Sequence, residues 1–267
     1  FLLHNQRPGP RRANLPVRVE REDLVSWVVF DRPEKGNALG MAELEEARRA
    51  VEAECSSGSH AVVAITGAGD RFFTTGVDLD ETMEARDAEA AWRLMYEGLG
   101  GLCRAIQGCR KPVVAAVNGY ALGAGMELLY FVDLAYAVRS AKFGVPPVRY
   151  GMVPPATPTV GVVLLGPRAA AYLALTGEMV TAEEALSMGI LNGVVDTVEE
   201  LRAKVREVAK AIAKNEPEAV AEVRRLIAES KMAALSDKGL RTLAAFTARP
   251  VVAERIRAMF KSRASRG

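Results

Sequence analysis

Glu127 is the residue whose setting most calls for chemistry. It stands in "LGAGMELLYFV", flanked by Met126, Leu128 and Leu129, where an ionised carboxylate is costly unless it has a partner or a task. A carboxyl in such surroundings can hold a proton and release it again, which is general acid–base work. Two glycine-bearing turns could supply what it acts with. In "TTGVD", Gly76 precedes Val77 just ahead of a helix expected from about Asp78, and in "LGAGME" the run Gly123-Ala124-Gly125 opens another. Glycine lets backbone approach a ligand closely, and helix starts carry unpaired N–H groups with partial positive charge. Two such donors aimed at one point would stabilise an oxyanion by about 2.7 to 4 kcal/mol each. Either pattern alone would equally serve a tight turn or close helix packing.

These residues need strands and helices to hold them. "VRVEREDLVSWVVFDRP" alternates apolar and polar residues, which predicts two strands with a turn at Glu22-Asp23. "MAELEEARRAVEAE" has helical periodicity. "HAVVAITG", "KPVVAAVNG" and "DLAYAV" read as buried strands, and "LGAGMELLYFV" as a helix between the last two. Strands alternating with helices at these intervals predict an α/β core with crossover connections. From about Val198 the pattern becomes all-helical, with "VEELRAKVREVAKAIAKN", "PEAVAEVRRLIAESK", "SDKGLRTLAAFTA" and "VVAERIRAMFKSRA" as successive amphipathic helices. The expected organisation is a tail over 1–15, a core over 16–197 and a helical region over 198–267. Leu240, Leu243, Phe246, Ile256 and Phe260 give the last helices apolar faces, from which self-assembly is expected.

Composition excludes several classes of function. A formal charge of +2, with both signs interspersed, offers no footprint for nucleic acid or an anionic membrane. No apolar run reaches the roughly 18 residues of a membrane span, and the first dozen residues lack a signal-peptide core, so a cytosolic protein is expected. Cys55, Cys103 and Cys109 are odd in number and without CxxC spacing, which predicts neither a disulfide framework nor a metal site. The histidines are His4 and His60, in the tail and in a polar turn, so no buried catalytic histidine is expected.

The blocks "DRPEKGNAL", "ITGAGDRFFTTGVDLDE", "KPVVAAVNGYALGAGMEL", "DLAYA", "AKFG" and "LTGEMVTAEEALSMGILNGVVD", in this order, resemble the enoyl-CoA hydratase/isomerase family, the crotonases. The resemblance implies a spiral of ββα repeats with a C-terminal helical region that assembles homotrimers or hexamers. It implies an acyl-CoA thioester substrate and no cofactor beyond the coenzyme A that this carries. The two backbone N–H donors to the thioester carbonyl then match Val77 and Ala124, and one catalytic glutamate matches Glu127. The coenzyme A contacts fall on the segments from Arg32 to Leu39 and Thr74 to Gly76, with Arg32, Lys35, Ala38, Thr75 and Gly76 as candidates. Pro147 and Tyr150 are candidates for the acyl pocket.

Two departures bear on mechanism. Family hydratases place a second glutamate in "FGxPE", where this chain has "FGVPP" and Pro147; the glycine-rich "PGAGGT" that follows is "PPATPT" here, with Pro155 at its first glycine. A usual acid and a usual backbone donor are therefore expected to be missing. Asp80, Glu81, Tyr96, Glu97, Arg149 and Tyr150 are possible substitutes, with Arg149 equally suited to an intersubunit ion pair. The activity expected from the resemblance is nominally 2-enoyl-CoA hydration. A Δ3,Δ2-enoyl-CoA isomerase, or a catalytically weak acyl-CoA-binding protein, remains an alternative.

Overall fold

The computed structural model describes residues 16–58, 60–85, 87–234 and 237–264. The tail expected over 1–15 lies outside them.

The long apolar runs form one sheet and the short ones another. Strands β1 (Val17–Glu22), β2 (Val25–Phe30), β3 (Val62–Gly67), β5 (Val113–Val117), β7 (Leu134–Val138) and β10 (Gly193–Val195) make a six-stranded sheet in that spatial order. All neighbours are parallel except β1 and β2, the antiparallel pair that turns at Asp23. Every residue of β2, β3 and β5 is buried, as continuous apolar strands covered on both faces require, whereas β1 on the sheet edge fully buries Val17 alone. Strands β4 (Phe72–Thr74), β6 (Tyr120–Leu122), β8 (Lys142–Gly144) and β9 (Met179–Thr181) form the second sheet.

Each turn of the chain visits both sheets. β3 leads to β4, β5 to β6 and β7 to β8, and after the first two of these pairs a helix carries the chain back to the long sheet. This is the ββα spiral that the resemblance implies. The helices are α1 (Met41–Ser56), α2 (Leu79–Glu84), α3 (Ala88–Trp92), α4 (Gly100–Gly108), α5 (Ala124–Leu128), α6 (Val162–Leu165), α7 (Pro167–Thr176) and α8 (Ala182–Ser187). The C-terminal region contains α9 (Val198–Ile212), α10 (Pro217–Ala234), α11 (Asp237–Thr247) and α12 (Pro250–Ala264).

α9 belongs physically with the core. It buries Leu201, Val205 and Ala209, while Arg202 and Arg206 pair with Glu20 and Glu22 of β1 at 2.7 and 2.9 Å. α10 is fastened by Arg224, which is buried. Its guanidinium meets Asp133 at 2.7 Å and donates to the carbonyls of Ile106, Gln107 and Cys109 at the end of α4. A cation there satisfies carbonyls that the helix leaves unpaired.

Three expectations change. Cys55 and Cys109 form a disulfide across a separation of 54 residues, leaving only Cys103 free among the cysteines. Packing of α1 against α4 brings their C-terminal ends together, a proximity that sequence spacing cannot express. The helix predicted over "LGAGMELLYFV" is regular only from Ala124 to Leu128; Leu129, Tyr130 and Phe131 then donate to carbonyls three residues back, a tighter winding. Of the apolar residues expected to need a partner, Leu243 and Ile256 are already buried within the chain, Phe246 is half-buried and Phe260 is exposed. Leu240 lies outside the residues whose side chains are described. No helix among the described residues is long and apolar enough to cross a membrane.

Candidate active site

A cavity of about 830 Å³ opens where the short sheet, the start of α5 and the last helices meet. Its wall includes Val77, Ala124, Glu127, Pro147 and Tyr150, so residues drawn from three distant segments share one space. Lys35, Ala38 and Thr75 line it as well, and Leu243, Met259 and Phe260 close it from α11 and α12.

The two glycine turns touch one another. Gly76 has φ +89°, and a Cβ on it would lie 2.7 Å from the Leu122 carbonyl oxygen and 2.8 Å from the Ala124 nitrogen. Only glycine lets these backbones approach so closely. Val77 is held in a parallel bridge to Leu39, in which Leu39 N–H donates to Gly76 and Asp78 N–H donates to Leu39 at 2.9 Å each. Those bonds lie on one side of the strand and leave the Val77 N–H on the other. Ala124 is the first residue of α5, where an N–H has no partner within the helix. Two asparagines secure the preceding loops. Asn37, at φ +54°, donates to the Phe72 carbonyl at 2.7 Å, and Asn118 accepts from Gly67 N–H at 3.0 Å while donating to the Gly69 carbonyl at 2.8 Å.

Glu127 is 3% exposed, and its hydrogen bonds are one-sided. Oε1 accepts from Ala156 N–H at 2.9 Å, Thr157 N–H at 2.6 Å and the Thr157 hydroxyl at 2.8 Å. No described residue donates to Oε2. Burial pushes the carboxyl up to about 7, against the pull of the Thr157 and Ala156 donors toward the ionised form. The N–H expected to be missing at Pro155 is missing, and the two residues after it turn theirs onto Glu127.

Other candidates separate cleanly. Arg32 does not line the cavity; it pairs with Glu43 at 3.0 Å and Asp78 at 3.4 Å, which makes it a clamp between α1 and the start of α2. Lys35 faces Asp80 at 3.6 Å on the rim. Glu81 accepts from the Met41 N–H at 2.8 Å, Tyr96 stacks on Trp92 at 4.2 Å, and Glu97 lines a separate groove between α1 and α4. Arg149 pairs within the chain with Glu178 at 2.5 Å, so the intersubunit role is not needed to satisfy it. Tyr150 donates to the Met259 sulfur at 3.2 Å. His60 sits 4.0 Å from Glu54, away from the cavity. Sequence reasoning missed Ala156 and Thr157, since a backbone donor has no signature of its own, and it missed the two asparagines, whose "GN" and "VNG" settings mark them as loop formers.

A two-sheet spiral that brings a buried carboxylate and two glycine-bearing turns to one cavity defines a class of enzyme suited to moving protons next to a polarised carbonyl. The enoyl-CoA hydratase/isomerase pattern matches residues 20–248. The chain is 35% identical over 202 residues to the crotonyl-CoA hydratase of Syntrophomonas wolfei, covering 73% of this chain and 75% of that one. It is 33% identical over 218 residues to the 2,3-dehydroadipyl-CoA hydratase of Escherichia coli, covering 81% and 83%. The crystal structure of an enoyl-CoA hydratase from Bacillus halodurans superposes with a TM-score of 0.82 at 25% identity, over 91% of this chain and 99% of that one. The protein belongs to the enoyl-CoA hydratase/isomerase family and is an enzyme of it.

Proposed function

We propose that the protein adds water to 2-enoyl-CoA thioesters, with Glu127 as both base and acid. The observation that carries this reading is a buried carboxylate with one oxygen bound by three donors and the other without a partner among the described residues, on the same cavity wall as Val77 and Ala124. The thioester carbonyl sits between the Val77 and Ala124 N–H groups. Glu127 takes a proton from water as the water oxygen bonds to C3, and the C2=C3 electron pair moves into the thioester as an enolate held by those N–H groups. The same carboxyl then returns the proton to C2. Names of relatives as crotonyl-CoA and short-chain-enoyl-CoA hydratases favour hydration over isomerisation.

No second carboxylate near Glu127 is required by this scheme. The other acids on the wall are Glu34, Asp78 and Asp80; Asp78 is tied to Arg32 and caps α2, and Asp80 faces Lys35. Lys35, Ala38 and Thr75, which line the cavity, provide a path for the pantetheine and nucleotide, whereas Gly76 does not line it and packs against Leu122 and Ala124; the only cofactor chemistry is that of the substrate's coenzyme A. Assembly into trimers or hexamers is part of the proposal, supported by exposed apolar side chains on α6 and α7, including Val163 at 66% and Leu175 at 75%.

The test is the loss of conjugated-thioester absorbance with crotonyl-CoA. Glu127→Gln keeps the shape of the side chain and removes its proton chemistry, so turnover should fall at least about 100-fold while binding of the thioester stays within about threefold. A variant that retains the wild-type rate would show that another acid serves the site. Turnover of a 3-enoyl-CoA in place of crotonyl-CoA would favour the isomerase.

A further inference from the structure

Thr157 contacts Glu127 through both backbone and side chain. It is fully buried, its N–H and its hydroxyl both end on Oε1, and it lies at the centre of the "PPATPT" turn. The main-chain donors of this turn depend on backbone alone, but the hydroxyl depends on this particular side chain. Behind it, the Tyr130 hydroxyl lies 3.4 Å from Thr157 Oγ1. Since the one hydroxyl hydrogen of Thr157 goes to Glu127, Tyr130 must be the donor in that contact. The sequence Tyr130, Thr157, Glu127 is therefore a one-way relay of donors ending on Oε1.

We propose that Thr157 is a positioning residue for proton transfer, its hydroxyl holding Oε1 so that Oε2 alone takes and returns the proton. This rests on the reading of Glu127 as the acid–base group. The hydroxyl has a second effect, because a donor to a carboxylate favours the ionised form. Titratable groups facing Glu127 are Cys103 on α4 and Tyr130 in the chain after α5. Burial pushes Cys103 up to about 12, with the nearby Glu127 charge adding to this, and burial also raises Tyr130 above its usual value. Both stay neutral over the working range, so neither offsets the loss of the hydroxyl. Hydrogen bonds to charged groups are strong enough that removing this one should move the titration of Glu127 upward by about one pH unit.

The experiment reads that titration in the free protein by infrared difference spectroscopy, with Glu127→Gln identifying the carboxyl band. Thr157→Val keeps the side-chain shape, and Thr157→Ala serves as a second hydroxyl-free variant if valine does not fold. Each should raise the midpoint by about one unit, and the alkaline-rising limb of kcat/KM for crotonyl-CoA should move with it. Thr157→Ser should restore both. Tyr130→Phe should shift the midpoint in the same direction and less, and should add nothing in the Thr157→Val background. A midpoint unchanged in the folded Val or Ala variant overturns the proposal, as does failure of serine to restore it. Because the titration needs no substrate, it judges Thr157 even if the Glu127→Gln protein keeps its turnover and the hydratase reading falls.

Discussion

In the proposed reaction Glu127 binds a proton at one moment and loses it at the next, and its surroundings set the balance between the two states. Burial holds the carboxyl near 7 rather than its ordinary 4.5. For the free enzyme to act as a base it must be ionised, so kcat/KM should rise with pH through about 7 and level off above it. The sign for stability is the reverse. Between 4.5 and about 7 the folded state binds more protons than the unfolded chain, so stability falls as pH rises across that window, by about 3 kcal/mol in all. Chemical denaturation at pH 5 and pH 8 should show this slope in the wild type and a flatter one in Glu127→Gln; equal slopes would contradict it. The residue itself was legible because a carboxylate among Met126, Leu128 and Leu129 breaks an apolar run. Its partners were not. Ala156 and Thr157 act mainly through N–H groups that every residue but proline has, and the neighbouring prolines made the turn look poor in donors.

At the scale of elements, the proline-rich turn and the buried arginine carry the tests. Pro147 lies in the first turn of a short 3-10 helix from Pro146 to Tyr150, where an N–H has no partner to lose, so the backbone accepts another residue there. Pro147→Glu introduces an acid on the cavity wall, and crotonyl-CoA hydration should increase severalfold. A folded variant with no gain would mean that position 147 does not face the reacting carbons. Arg224 tests how α10 is attached. Arg224→Met leaves Asp133 and the end of α4 without their buried partner, which should cost about 3 to 5 kcal/mol, read as a lower denaturation midpoint. A loss under about 1 kcal/mol would show that α10 is held by its apolar contacts instead. Sequence periodicity identified α10 but not its anchor, since Arg224 and Arg225 are adjacent and identical in type. Only the packed helix shows that the first turns inward while the second pairs with Glu222 and Glu229 on the surface.

The whole spiral was legible in outline and invisible in half its sheet structure. β3, β5 and β7 are apolar runs long enough to read, but β4, β6, β8 and β9 have three residues each, too few for any periodicity. The quoted family blocks, rather than alternation, implied the second sheet. The surface that remains apolar after folding includes Tyr172, Leu175 and Leu186, and it should be covered by copies of the chain. Light scattering at micromolar concentration should give three or six times 28.7 kDa, and a monomer would refute the assembly. The Cys55–Cys109 bond has a consequence for the connectivity of the molecule. It ties the chain into a ring that includes Val77 and excludes Ala124 and Glu127, so the two proposed carbonyl donors lie on opposite sides of a covalent boundary. A protease that cuts once inside the ring leaves a single covalent species. Such nicked protein should run as one band without reductant and as two with it, and reduction of the uncut chain should lower its stability by about 2 to 4 kcal/mol. Two bands from singly nicked protein without reductant would show that the ring is open.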